Sequence, residues 1–167
     1  GDWSSDVCSS DLLIEEVVAP HRNFGIAIDV ALSHDPRPPV GARNPAILYG
    51  LGNFLENAVD FAQDRVEVTA DWSPEDVALT ISDDGPGFAP EIMDWIGEPY
   101  VHSSKRRRMN AAGETTGLGL GFFIAKTLLE RSGATVEFEN RIYPDRGAVI
   151  RVRWERQGFE KIETVTS

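Results

Sequence analysis

The chain has 167 residues, of which 41% are apolar, and a formal net charge of −11. That is enough apolar material for one globular domain with its own core, and too much for a disordered chain. The acidic balance argues against nucleic acid as a partner and against direct contact with an anionic membrane, since both need a basic face.

A single cysteine, Cys8, rules out an intrachain disulfide and a thiol-based zinc cluster, and fits a reducing, cytoplasmic setting. No apolar run reaches the roughly 18–20 residues of a membrane-spanning helix. The longest candidate, 118–125, is interrupted by Gly119 and Gly121. No leader pattern is visible at the start.

Residues 1–11, GDWSSDVCSSD, are rich in Ser and Asp and lack apolar periodicity. They are expected to be a disordered or non-native extension. Residues 12–156 are expected to form the domain, and 157–167 a tail. A short helix is predicted from residue 12, leading to a turn at 23–25. The alternation IAIDVAL at 26–32 predicts a half-buried strand. A Pro-rich connection follows. Asn44 before Pro45 is a helix start, because Asn caps and Pro is tolerated at the first helical position. That helix should run to about residue 63, with Ile47, Leu48, Leu51, Leu55, Ala58, Val59 and Ala62 along one side.

Strands are predicted at 65–72 and 77–82, then a Gly/Pro turn at 84–90 and a short helix near 91–96. A polar stretch, 97–116, holds Lys105–Arg108. A helix at about 119–132 and strands at 134–140 and 148–155 complete the order. This succession is no simple βαβ winding. It predicts an α+β sandwich, a mixed sheet with helices packed on one face.

Three constellations carry chemistry. Asn53 and Asn57, in GNFLENAVDFA, stand one helical turn apart on one face. Their carboxamide oxygens suit Mg²⁺, which takes oxygen ligands alongside substrate phosphates; the alternative is a solvent-facing polar stripe. Asp83-Asp84-Gly85-Pro86-Gly87 ends a predicted strand. A carboxylate there can accept from an exocyclic amine, and glycines let a ligand approach the backbone; an ordinary tight turn uses the same residues. Thr116-Gly117-Leu118-Gly119-Leu120-Gly121 precedes a helix, where free N–H groups and the helix dipole favour phosphate; the alternative is a hinge. Neither GxxxxGK[ST] nor GxGxxG is matched.

In this order and spacing the three resemble the GHKL ATP-binding superfamily, and within it the catalytic domains of sensor histidine kinases. Residues 53–62 look like the N box, 83–87 like G1, 98–100 (Glu-Pro-Tyr) like the F box and 117–121 like G2. ENAVDFA and GLGLGFFIAKTLLERSGATV are most similar to the RegB/PrrB-type redox-responsive kinases. Two places depart from the pattern: Thr115 stands where G2 often begins with Gly, and Ile96 and Tyr100 replace common phenylalanines.

The resemblance implies a two-layer α/β sandwich of the Bergerat type with a mobile ATP lid. It implies that Asn57, assisted by Asn53, coordinates Mg²⁺ on the ATP phosphates. Asp83 would bind the adenine amine in a pocket shaped by Gly85 and Gly87, with Phe61 beside the nucleotide. Thr116, Gly117, Leu118, Gly119 and Leu120 would cradle phosphates. Lys105 is either a phosphate-facing cation or part of a solvated charge run.

Hydrolysing members of the superfamily carry a glutamate base at the position of Asn53. An amide is no general base near neutral pH. Glu56 lies about 100° round the helix from Asn57. The expected reaction is therefore transfer of the ATP γ-phosphoryl to a protein histidine. An ATPase or an ATP-gated interaction module is the alternative. None of His21, His34 and His102 sits in an acceptor motif, so the implied partners are a dimerisation and phosphotransfer hairpin and a response regulator. The expected setting is the cytoplasmic portion of a membrane-anchored bacterial sensor kinase.

Overall fold

The computed structural model describes residues 7–22, 25–33, 35, 37–42, 44–96 and 120–160. Its elements in chain order are β1 (Val7–Ser9), α1 (Ser10–Val18), a short 3-10 turn (Ala19–His21), β2 (Ala27–Leu32), β3 (Val40–Ala42), α2 (Pro45–Phe61), β4 (Arg65–Trp72) and β5 (Asp76–Asp83). Then follow α3 (Pro90–Ile96), α4 (Leu120–Arg131), β6 (Thr135–Asn140), β7 (Ala148–Glu155) and α5 (Arg156–Glu160).

Five strands form a sheet of order β2-β4-β5-β7-β6. β2 and β4 are parallel, and every other neighbouring pair is antiparallel. The sheet is thus mixed, as the element order predicts. Period-two alternation turns Val66, Val68, Ala70 and Trp72 of β4 to the core, with Val77, Leu79 and Ile81 of β5 and Ile150, Val152 and Trp154 of β7. The opposite face is charged, with Arg65 paired to Asp29, Arg153 to Asp76, and Arg151 near Glu137 and Glu139.

The helices cover the apolar face. α2 begins as its sequence dictates: Asn44 Oδ1 accepts from Ala46 N at 2.8 Å, and Pro45 occupies the first turn. It buries Ile47, Gly50, Leu51, Phe54, Leu55 and Ala58, a stripe spaced for one helix face. α4 packs on α2 closely enough that a Cβ on Gly50 would lie 2.7 Å from Leu129 Cγ. Phe54 of α2, Phe122 of α4 and Phe138 of β6 pack with ring centroids 5.0–5.8 Å apart, tying both helices to the sheet edge.

Two boundaries differ from those expected. Val7–Ser9 pair antiparallel with Val40–Ala42, and α1 starts at Ser10, so the expected boundary at residue 12 falls inside a helix. A three-residue strand is too short to show periodicity, and its partner is some thirty residues away. At the other end, α5 follows β7 directly, and Phe159 is buried with its ring 5.3 Å from that of Trp154. One aromatic in an otherwise polar segment gives no periodic signal.

Candidate nucleotide site

Asp83 is the last residue of the central strand β5, and it continues the inward alternation of Val77, Leu79 and Ile81. A carboxylate thus occupies a position that the strand period assigns to the core, and it is only 4% exposed. Oδ1 accepts from Gly85 N at 2.8 Å and from Ala148 N at 3.3 Å. Burial raises its pKa above the ordinary 3.8, and the neighbouring charge of Asp84 adds to this. The two backbone N–H groups and Arg141 oppose the rise without cancelling it.

Asp84 faces the other way. It accepts from Gln63 N at 2.7 Å and Asp64 N at 3.1 Å, fastening the end of α2 to the end of β5. What burial it has acts to raise its pKa, but backbone N–H groups of Asp64, Arg65 and Gln63 outweigh that and lower it.

Beside Asp83 is a cleft of about 640 Å³, its open mouth included, walled by Phe61, Phe88, Ile92 and Phe122 with Asn57, Asp83 and Gly87 among the lining residues. An apolar slot with a few convergent polar groups suits a planar heterocycle. The close approaches behind it leave no room for side chains. A Cβ on Gly85 would collide with the Phe61 carbonyl oxygen, and one on Gly147 with the Asp83 carbonyl oxygen. Gly87 has φ +82° and Gly147 φ +124°, left-handed conformations that favour glycine.

Along α2, Tyr49, Asn53, Asn57 and Phe61 recur every four residues and so form one stripe, about 18 Å long at 1.5 Å per residue. Phe61 and Asn57 reach the cleft, and Asn53 lies one turn beyond it. Asn57 Nδ2 donates to Asn53 O at 3.2 Å and to Asn53 Oδ1 at 3.3 Å. These bonds use the amide nitrogen, and no hydrogen bond to Asn57 Oδ1 is present among the described residues. Among the described residues that oxygen is left open to a ligand. No cluster of three or more His, Cys, Asp or Glu able to hold a metal occurs among the described residues. The donor set is two amides, which fits a hard cation whose remaining ligands are phosphate and water.

The structure therefore brings together Asn53, Asn57, Phe61, Asp83, Gly85 and Gly87. Leu120 is the first residue of α4, and Gly121 after it sits under Asn53. Lys105, Thr116, Gly117, Leu118, Gly119 and the segment 98–100 lie outside the described residues. Residues that motif reading missed are Phe88, Ala148, Gly147 and Asn140. Phe88 lies in the loop just after Asp83; the others come from the β6–β7 hairpin, more than fifty positions away, and only tertiary pairing brings Ala148 to the cleft, Gly147 against Asp83 and Asn140 against Phe88.

Residues 44–158 match the sequence profile of the family described as histidine kinase-, DNA gyrase B-, and HSP90-like ATPase. Sensor histidine kinase RegB of Cereibacter sphaeroides is 37% identical over 156 residues, covering 85% of this chain and 34% of the relative. Sensor histidine kinase GtrS of Pseudomonas aeruginosa is 30% identical over 150 residues, covering 90% of this chain and 29% of the relative. The chain thus spans about a third of the length of these two relatives. Among solved structures, the mycobacterial sensor histidine kinase MprB superposes with a TM-score of 0.66 at 19% identity, covering 90% of this chain and 97% of that one. The catalytic domain of histidine kinase ThkA gives 0.64 at 20% identity, covering 90% and 95%. At such identities the structural likeness concerns the fold, a mixed five-stranded sheet with helices on one face.

Proposed function

Because this chain belongs to the histidine kinase-, DNA gyrase B-, and HSP90-like ATPase family, we propose that it binds ATP with Mg²⁺ and donates the γ-phosphoryl to a histidine on a separate dimerisation hairpin. The phosphoryl group would pass from there to a response regulator. In this reading the purine lies in the slot between Phe61, Phe88 and Ile92, with its exocyclic amine donating to Asp83. The triphosphate runs along the α2 stripe toward Asn53. Asn57 Oδ1 is the metal ligand, with Asn53 held beside it. Held by Asn57, bound Mg²⁺ would supply neutralisation of the phosphate charge. The residues of this chain orient the nucleotide and exclude water from the base.

The observation that carries transfer over hydrolysis is Asn53. Its side chain is a carboxamide engaged by Asn57, and an amide takes no proton from water near neutral pH. No carboxylate lines the cleft among the described residues except Asp83, whose Oδ1 accepts from the Gly85 and Ala148 backbone and which this reading puts at the base rather than at the phosphates. The same reading assigns the domain to the cytoplasmic side, where ATP is found; no helix among the described residues is long and apolar enough to cross a membrane.

Titration calorimetry with Mg·ADP and Mg·ATP tests the binding half. Micromolar to millimolar saturable binding that falls when Mg²⁺ is chelated supports it. Absence of binding, or binding indifferent to both Mg²⁺ and Asp83→Asn, contradicts it.

A further inference from the structure

We propose that Asn140, a residue no motif of the chain includes, is a positioning residue for the nucleotide and fixes the wall of the base slot through Phe88. The proposal rests on the nucleotide reading above. The segment between β5 and α3 has no regular structure, yet Phe88 in it lines the cleft. Such a wall needs an outside support to keep one conformation.

β6 supplies that support twice. Phe88 N donates to Asn140 Oδ1 at 2.7 Å, and Asn140 Nδ2 donates to Phe88 O at 2.8 Å. The side-chain amide thus pairs with Phe88 as a peptide group pairs across an antiparallel ladder, satisfying both of its backbone groups. Two residues earlier on the same strand, Phe138 meets the Phe88 ring edge-on, with centroids 6.1 Å apart. Residues i and i+2 of a strand share a face, so ring and backbone are gripped from one side.

The adjoining residues are shaped around this contact. A Cβ on Gly87 would lie 2.8 Å from Asn140 Oδ1, so the amide fills space that only glycine leaves open. At the other end of the loop, Arg146 Nε donates to Gly85 O at 3.0 Å. Arg141 N donates to Gly147 O at 2.9 Å and closes the hairpin from which both contacts come. The β6–β7 hairpin thus holds the loop at Gly85 and at Phe88.

A single contact to exposed backbone would be weak against competing water. The paired donor and acceptor of one carboxamide define distance and orientation together. Rigidifying a wall before binding lowers the ordering penalty of association, so the effect should appear in affinity more than in folding.

The test uses the whole chain, Mg·ADP calorimetry and amide hydrogen exchange at Phe88. Asn140→Ala is expected to weaken Mg·ADP at least tenfold and to speed Phe88 exchange by a similar factor, while the ligand-free melting point moves little. Asn140→Asp keeps the acceptor for Phe88 N–H but loses the donor to Phe88 O. It should retain Phe88 protection and recover part of the affinity, a split that general loosening of the fold would not give. Affinity within twofold of wild type in Asn140→Ala, or unchanged Phe88 exchange, overturns the proposal. Failure of the wild-type protein to bind Mg·ADP overturns the nucleotide reading instead, and is seen without any variant.

Discussion

Asp83 and Asp84 are consecutive carboxylates that the end of β5 turns to opposite uses. Asp83 is directed into the core face and raised by burial; Asp84 is lowered by the backbone N–H groups it collects from the end of α2. The first is available to a ligand. The second holds two elements together.

Asp83→Asn should separate affinity from stability. The amide can still accept from Gly85 and Ala148, but it removes a carboxylate that burial disfavours. Nucleotide affinity should fall roughly 10- to 100-fold, about 1.4–2.8 kcal/mol, while the ligand-free melting point does not drop. Calorimetry and thermal unfolding on the same samples check this. Equal losses in both would show a structural role alone.

Acidification gives a second reading of the same residue. With its folded pKa above the unfolded value, Asp83 binds protons more tightly when folded. Its contribution to stability is therefore present below 3.8 and lost as pH rises through the raised value. Nucleotide binding runs the other way, because protonation weakens the acceptor. Wild-type affinity should decline on acidification, beginning at a higher pH than an unburied aspartate would give, and Asp83→Asn should lack that limb.

Asp84→Ala should lower stability by about 1–3 kcal/mol at pH 7, the scale of charged hydrogen bonds lost from partly exposed N–H groups. Since the folded pKa of Asp84 lies below 3.8, its contribution is present above that value and lost as pH falls through the lowered one. Urea unfolding of wild type and variant should differ at pH 7 and converge in stronger acid.

Much of this was legible in sequence because the determinants are local. The Asn44–Pro45 start, the apolar side of α2 and the place of Asp83 at the end of a strand are set by capping, by the helix period and by the strand period. What was not legible depends on pairing across long separations. Asn140 reaches Phe88 over 52 residues and Gly147 abuts Asp83 over 64, with neither in a periodic or motif context. The β1–β3 pair escaped for the same reason.

Glycines at close approaches give two further outcomes, one on stability and one on the site. A Cβ on Gly50 would press on buried Leu129, so Gly50→Ala should destabilise by about 1–3 kcal/mol despite the better helix former. At Gly121 the obstacle is mobile: a Cβ would lie 2.7 Å from Asn53 Nδ2 and 3.3 Å from the Tyr49 hydroxyl. Gly121→Ala should leave the fold intact, displace the Asn53 amide, and shrink the difference in nucleotide affinity measured with Mg²⁺ and with chelator.

Phosphoryl transfer is tested most directly by the passage of label from γ-³²P ATP to an added dimerisation hairpin bearing the acceptor histidine. Acid-labile label is expected on the hairpin, none on a hairpin whose histidine is replaced by glutamine, and phosphate release near background when the hairpin is omitted. Steady turnover of ATP by the chain alone, with no label on any hairpin, would contradict it.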